Sequence, residues 1–114
     1  MREKDFAGDM VYKVKADFLK ALSHPLRLKI IETLKHGEKS VGSLVKQLGI
    51  QQSSLSRHLI ALRDAGILKS RQERTTVFYN LQDHDIFHVL RPIAIMLRKK
   101  FKESERLLNT LGKE

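Results

Sequence analysis

Four residues, Leu48-Gly49-Ile50-Gln51, separate two segments of helical periodicity, and so short a connection forces the helices it joins to cross tightly. Gly49 stands where such a turn wants a left-handed residue. The segment before it opens at Ser40, whose hydroxyl suits a helix N-cap, and turns Leu44, Val45 and Leu48 inward. The segment after it begins at Gln51 or Gln52, gathers Leu55, Leu59 and Leu62 on one stripe and runs to Gly66. The pair reads as a helix-turn-helix.

The other face of the second helix carries Ser53, Ser56, Arg57 and Ile60. Small hydroxyls let a helix approach a groove closely, Gln52 and Arg57 have the donor geometry for bidentate contacts to base edges, and an exposed Ile60 can meet a thymine methyl. His58 lies beside the apolar stripe. It reads as a half-buried histidine bonded to a neighbouring strand or backbone group, with direct DNA contact as the alternative. Arg63 reads as a solvated or phosphate-facing charge.

Residues 1–10 alternate in charge without a period and are expected to be a flexible N-terminus, so the single folded domain is placed at 11–111. A helix is expected from Tyr12, with Val14, Phe18, Leu19 and Leu22 on its apolar face. Ser23 is the expected N-cap of the next helix, two residues before Pro25; that helix carries Leu26, Leu28, Ile30, Ile31 and Leu34 and ends at Gly37. After Gly66 come two strand-like runs, one led by Ile67 and Leu68, the other Val77–Leu81. The polar stretch between them, Ser70–Thr76, reads as a hairpin tip, which makes the hairpin a wing whose arginines can reach a phosphate or the minor groove. The last helix begins near Asp83 and repeats Ile86, Leu90, Ile93, Leu97 and Phe101. Pro92 should kink it near 88–91 or split it in two.

The net charge of +9 is spread as about +3 over 22–50, +3 over 51–79 and +4 over 91–106. Positive charge of this density favours a polyanion. The absence of cysteine excludes disulfides, thiolate metal sites and cysteine redox sensing. No apolar run approaches the ~18 residues of a membrane span and no signal-peptide core opens the chain, so no membrane partner is expected and the expected compartment is the cytoplasm. An enzyme is disfavoured: there is no glycine-rich phosphate loop and no glycine-flanked serine. Ser56 and His58, two apart on a helix, point about 200° away from each other.

Ala21-Leu22-Ser23-His24-Pro25-Leu26-Arg27-Leu28-Lys29-Ile30-Ile31, then Ser56-Arg57-His58-Leu59 with Leu62 and Ala65-Gly66-Ile67-Leu68, then Val77-Phe78-Tyr79, together resemble the ArsR/SmtB family of bacterial winged-helix repressors. The resemblance spans about residues 16–100. It implies a mainly α fold with a small β-hairpin: a winged helix-turn-helix of about five helices and a two-stranded wing, dimeric through its first and last helices. It implies a homodimeric transcriptional repressor on double-stranded DNA, presenting two reading helices to a palindromic operator. The family's base-facing positions fall on Gln52, Ser53, Ser56 and Arg57, with Ser40 near the phosphates. With the neighbouring and wing residues, the expected DNA-binding set is Ser40, Gln51, Gln52, Ser53, Ser54, Ser56, Arg57, Arg71, Arg74 and Thr75.

Regulation departs from the pattern. Arsenite-sensing members carry paired cysteines where this chain has Ser40-Val41-Gly42-Ser43-Leu44. Zinc-type members use Asp-x-His at the start of the last helix, where this chain has Asp83-His84-Asp85, and Met96 and Lys99 stand at the second ligand pair. No cofactor or metal is therefore expected, although His84 and His88, four apart on one helical face with Asp85 adjacent, offer an unorthodox metal site as the alternative. Beyond DNA and a second copy, the open partner class is a small-molecule or ion effector. The wing differs too, because Arg74 occupies the place where the family usually has glycine. The rival readings are a divalent-metal-sensing repressor using that His/Asp site and a winged-helix protein-interaction module.

Overall fold

The computed structural model describes residues 3–112, so Met1 and Arg2 of the expected flexible terminus lie outside the described residues. Within the expected 11–111 domain the chain gathers into two compact units, one ending at Asp83 and the other starting at His84. In the first unit, α1 (Glu3–Leu22) and α2 (Pro25–Thr33) are followed by β1 (Lys39–Ser40), α3 (Val41–Leu48), α4 (Gln52–Asp64), β2 (Leu68–Glu73) and β3 (Thr76–Leu81). The second is α5 (Ile86–Gly112). This is a winged helix-turn-helix, mainly α, with five helices and a small β-hairpin.

Helix ends follow local chemistry, with three departures from expectation. α1 begins at Glu3, well before the apolar period that starts near Tyr12. At the α1–α2 junction Ser23 is not the N-cap: its Oγ donates to the Lys20 carbonyl at 2.7 Å and closes α1. His24 caps α2 instead, in extended backbone, its Nδ1 accepting from the Leu26 N–H at 3.1 Å, and Pro25 follows in the first turn. α2 stops at Thr33 rather than Gly37, because Leu34 takes the C-cap. Ser40 does cap α3, its Oγ accepting from the Ser43 N–H at 3.0 Å, and Gly49 ends it at φ +66°. α4 ends in paired bonds, Gly66 N–H to the Arg63 carbonyl and Ile67 N–H to the Leu62 carbonyl, both 2.9 Å, with Gly66 at φ +79°. This is the glycine-dependent Schellman arrangement.

Leu55, Leu59 and Leu62 of α4 are fully buried with Ile30, Ile31 and Leu34 of the α2 region and Leu44 of α3. Leu68, Tyr79 and Leu81 of the hairpin strands, with Leu22 and Ile67, are buried as well. The expected leucine stripe is thus the face by which α4 is anchored.

The sheet has three strands in the order β1-β3-β2, all antiparallel, where the sequence suggested two. Lys39 pairs with Tyr79 and Ser40 with Phe78, so the residue that caps α3 is also stitched to the wing. Ser70, Arg71 and Gln72 are not in the tip. β2 runs on to Glu73, which pairs with Thr76, leaving only Arg74-Thr75 as the loop. Beyond Leu68 every residue of β2 is exposed, so this part of the ribbon lacks the inward–outward alternation that marks a strand in sequence.

α5 is one unbroken helix, so Pro92 does not split it in two. The proline removes the one backbone donor that would have reached the His88 carbonyl. The helix starts at Ile86, which leaves His84 in the preceding turn and not on a helical face with His88. His88 Nε2 lies 3.6 Å from Asp85 Oδ1, and no group of three or more His, Cys, Asp or Glu side chains among the described residues is placed to hold a metal. The His84/Asp85/His88 alternative is not assembled.

Candidate nucleic-acid interface

With Leu55, Leu59 and Leu62 anchored, the helical repeat divides the rest of α4 into two further stripes. Ser54, His58, Ala61 and Ala65 form a half-buried flank. Gln52, Ser53, Arg57, Ile60, Arg63 and Asp64 are exposed, with Ser56 half-buried among them, over about 140° of the helical wheel. Ser54, a member of the expected DNA-binding set, therefore lies on this flank and not on the outer face.

Part of this outer face opens onto a cleft of about 560 Å³. Its walls are Gln52, Ser56, Ile60 and Arg63 from α4, Ser40, Val41 and Gly42 at the start of α3, and Thr75, Thr76, Val77 and Tyr79 from the wing. Four expected site residues, Ser40, Gln52, Ser56 and Thr75, are thus brought to one concavity. Gln51 is at the N-cap of α4, exposed and without a side-chain capping bond. Ser53 and Arg57 are exposed along the helix beyond the cleft wall. The concavity offers hydroxyls, an amide and a guanidinium beside apolar side chains, which is chemistry suited to phosphates, base edges and thymine methyls.

On the wing the two arginines differ. Arg71 donates Nε and Nη2 to the two carboxylate oxygens of Glu38, at 2.8 and 2.6 Å, and Nη1 to Glu73 at 2.9 Å. Its guanidinium also stacks over the Phe78 ring, 4.3 Å from the centroid. These hydrogen bonds hold the Glu38 carboxyl below the usual glutamate range and keep Arg71 firmly protonated. Arg71 is thereby occupied as a clamp between the wing and the chain before β1. Arg74 stands at the loop with φ +57°, the only described non-glycine residue with positive φ. That conformation accounts for the glycine usual at this place. The Gln72 side-chain amide donates to the Arg74 carbonyl at 3.2 Å and holds the turn.

His58 is half-buried, but its partner is neither the wing nor the backbone. Arg27 Nε donates to His58 Nδ1 at 3.1 Å, and the rings of His24 and His58 lie 4.3 Å apart. Partial burial, and after it the charges of His24, Arg27 and Arg57, hold His58 below the ordinary histidine range. Sequence reasoning missed this cluster and the Glu38–Arg71 clamp, because each joins residues about thirty apart that share no local period.

Residues 24–70 match the sequence pattern of bacterial regulatory proteins of the arsR family. An uncharacterized HTH-type transcriptional regulator of Mycobacterium tuberculosis, Rv0081, is 33% identical over 105 residues, covering 91% of this chain and 92% of the relative. Its crystal structure superposes with a TM-score of 0.73 at 34% identity, over 82% of this chain and 95% of that one. The biofilm growth-associated repressor of Xylella fastidiosa is 47% identical over 68 residues, 60% of each chain. The transcriptional activator HlyU of Vibrio cholerae is 43% identical over 68 residues, 60% of this chain and 63% of that protein. No helix among the described residues is long and apolar enough to cross a membrane.

Proposed function

The chain belongs to the ArsR family of bacterial regulatory proteins and is a sequence-specific DNA-binding transcriptional regulator, not an enzyme; from that premise we propose that it is a homodimeric repressor covering a palindromic operator. The observation that carries this reading is the shared cleft of α4, the Ser40 cap and the wing, because it presents the polar outer face of one rigidly anchored helix. Gln52, Ser53, Ser56 and Arg57 read base edges, and Gln51 supports the helix entry. Ser40 and Thr75 meet phosphates, and Arg74 reaches beyond them to the backbone or the adjacent minor groove. Ser54 and Arg71 act indirectly, one on the flank of the helix and the other as the wing clamp. Two such helices in a dimer address half-sites about 34–36 Å apart.

Repression needs only occupancy of the promoter, which a basic reading surface supplies. The relatives include both a repressor and an activator by name, so the sign of regulation is tested directly. Duplexes selected by the protein from a random library should contain a palindrome. Footprinting should place that palindrome in a promoter whose reporter rises when the protein is removed. A fall in the reporter would make the protein an activator, and recovery of no sequence above background would sink the operator reading in favour of a protein-interaction module.

A further inference from the structure

The half-buried flank of α4 ends in a three-residue contact that the reading surface does not use. Arg27 on α2 makes two bonds at once, Nε to His58 Nδ1 on α4 and Nη1 to the Ala21 carbonyl near the end of α1, each at 3.1 Å. One guanidinium therefore ties three helices together. His24, fixed as the N-cap of α2 by its own Nδ1, lays its ring against that of His58 at 44°. Arg57, the residue before His58 on α4, is on the exposed face.

We propose that Arg27, His58 and His24 form a proton-responsive latch that fixes α4 against α2, so that the protein loosens its hold on DNA when His58 takes up a proton. The inference rests on α4 being the DNA-reading helix. Arginine has donors only and stays charged, so its bond to Nδ1 requires a lone pair there, which is the neutral, Nε2-protonated ring. A proton on Nδ1 sets N–H against N–H. The charged groups acting on the ring are His24 and Arg27 from α2 and Arg57 from α4, all basic, and α1 contributes only the carbonyl that Arg27 already holds. Each of these charges disfavours a proton on His58. The ring is released by displacing Arg27, which also frees the Ala21 carbonyl, or by rotating α4 at the residue next to Arg57. The sign is diagnostic. A histidine acting only as an added positive charge near DNA would tighten binding in acid, whereas the latch weakens it.

The test uses the full chain and the duplex recovered by the selection described above, at fixed ionic strength from about pH 7.5 to about pH 5, bracketing the ordinary histidine value of ~6.5. Affinity should fall by roughly fivefold or more, the low end of ordinary coupling between sites. In the free protein the Arg27 Nε–H and α4 amide NMR shifts should titrate with the His58 ring. His58→Asn, whose carbonyl can accept from Arg27 but cannot be protonated, should flatten the pH profile. His24→Asn keeps a capping side chain while removing a basic neighbour, and should move the transition to higher pH. Affinity that is flat or rises in acid, or an Arg27 signal that ignores His58, would overturn the latch. If selection returns no duplex the repressor reading fails instead, and the latch is judged on the coupled titration alone.

Discussion

Arg71 and Arg74 lie three residues apart on the wing with the same formal charge, yet only Arg74 is available to a phosphate. Arg71 already faces two carboxylates and an aromatic ring. Arg74→Ala should therefore reduce the slope of log affinity against log salt by about 0.9 per protomer, the value of one neutralised phosphate on duplex DNA. Arg71→Ala should leave that slope unchanged while raising hydrogen exchange along β2. Equal loss of slope in both variants would show that Arg71 leaves its acids for DNA. Arg74→Gly carries a second consequence, since an L-residue in the left-handed region costs about 1 kcal/mol that glycine avoids. It should melt several degrees higher and bind DNA more weakly. His58 adds a pH term to stability. Its pKa is depressed in the folded state, so the stability it contributes is present above the ordinary histidine value and is lost as pH falls toward the folded one.

At the scale of elements, what the sequence made legible is what a few neighbouring residues decide. The Ser40 cap, the Gly49 turn, the buried Leu55, Leu59 and Leu62 stripe and the Gly66 stop each follow from a period or a conformational demand within one helix. Gly66 can be tested directly. Its φ of +79° leaves open space for a Cβ, so Gly66→Ala carries conformational strain without a clash and should cost about 1 kcal/mol, lowering the melting temperature by about 4 °C. A change of less than a degree would mean that α4 can end without the Schellman bonds. What was not legible depended on distant partners. Lys39 and Ser40 look like the approach to a helix and become a strand only because Tyr79 and Phe78 present an open edge. Arg71 looks like a loop charge until Glu38, thirty-three residues earlier, is brought beside it. Likewise Ser23 looks the better cap than His24, but its hydroxyl reaches back to Lys20 once α1 runs that far. Of the expected DNA-binding residues on α4, Ser53, Ser56 and Arg57 lie on the outer face that helical phase assigned them, while Ser54, which phase did not assign, lies on the flank. The two wing arginines were separated by a contact no period encodes.

At the scale of the whole molecule, the apolar surface decides what the chain does with its two terminal helices. Tyr12 of α1 is 73% exposed, and on α5 Phe101 is 66% and Leu108 68% exposed, with Met96 and Leu97 uncovered as well. Exposed apolar faces of this extent are the kind of surface that association covers. On the homodimer proposed above a second copy covers these faces, so stability should depend on protein concentration, because association adds free energy to the folded state by mass action. Dilution over two decades should lower the melting temperature, and sedimentation should show twice the 13.2 kDa chain mass at the concentrated end. Phe101→Glu places a charge at an exposed apolar position of α5. It should shift the protein toward the single-chain mass and weaken operator binding far more than binding to one half-site, since linking two half-site contacts gains its advantage from effective concentration. If Phe101→Glu stays dimeric and binds the full operator normally, the α5 face is not part of the interface and another surface brings the two reading helices together.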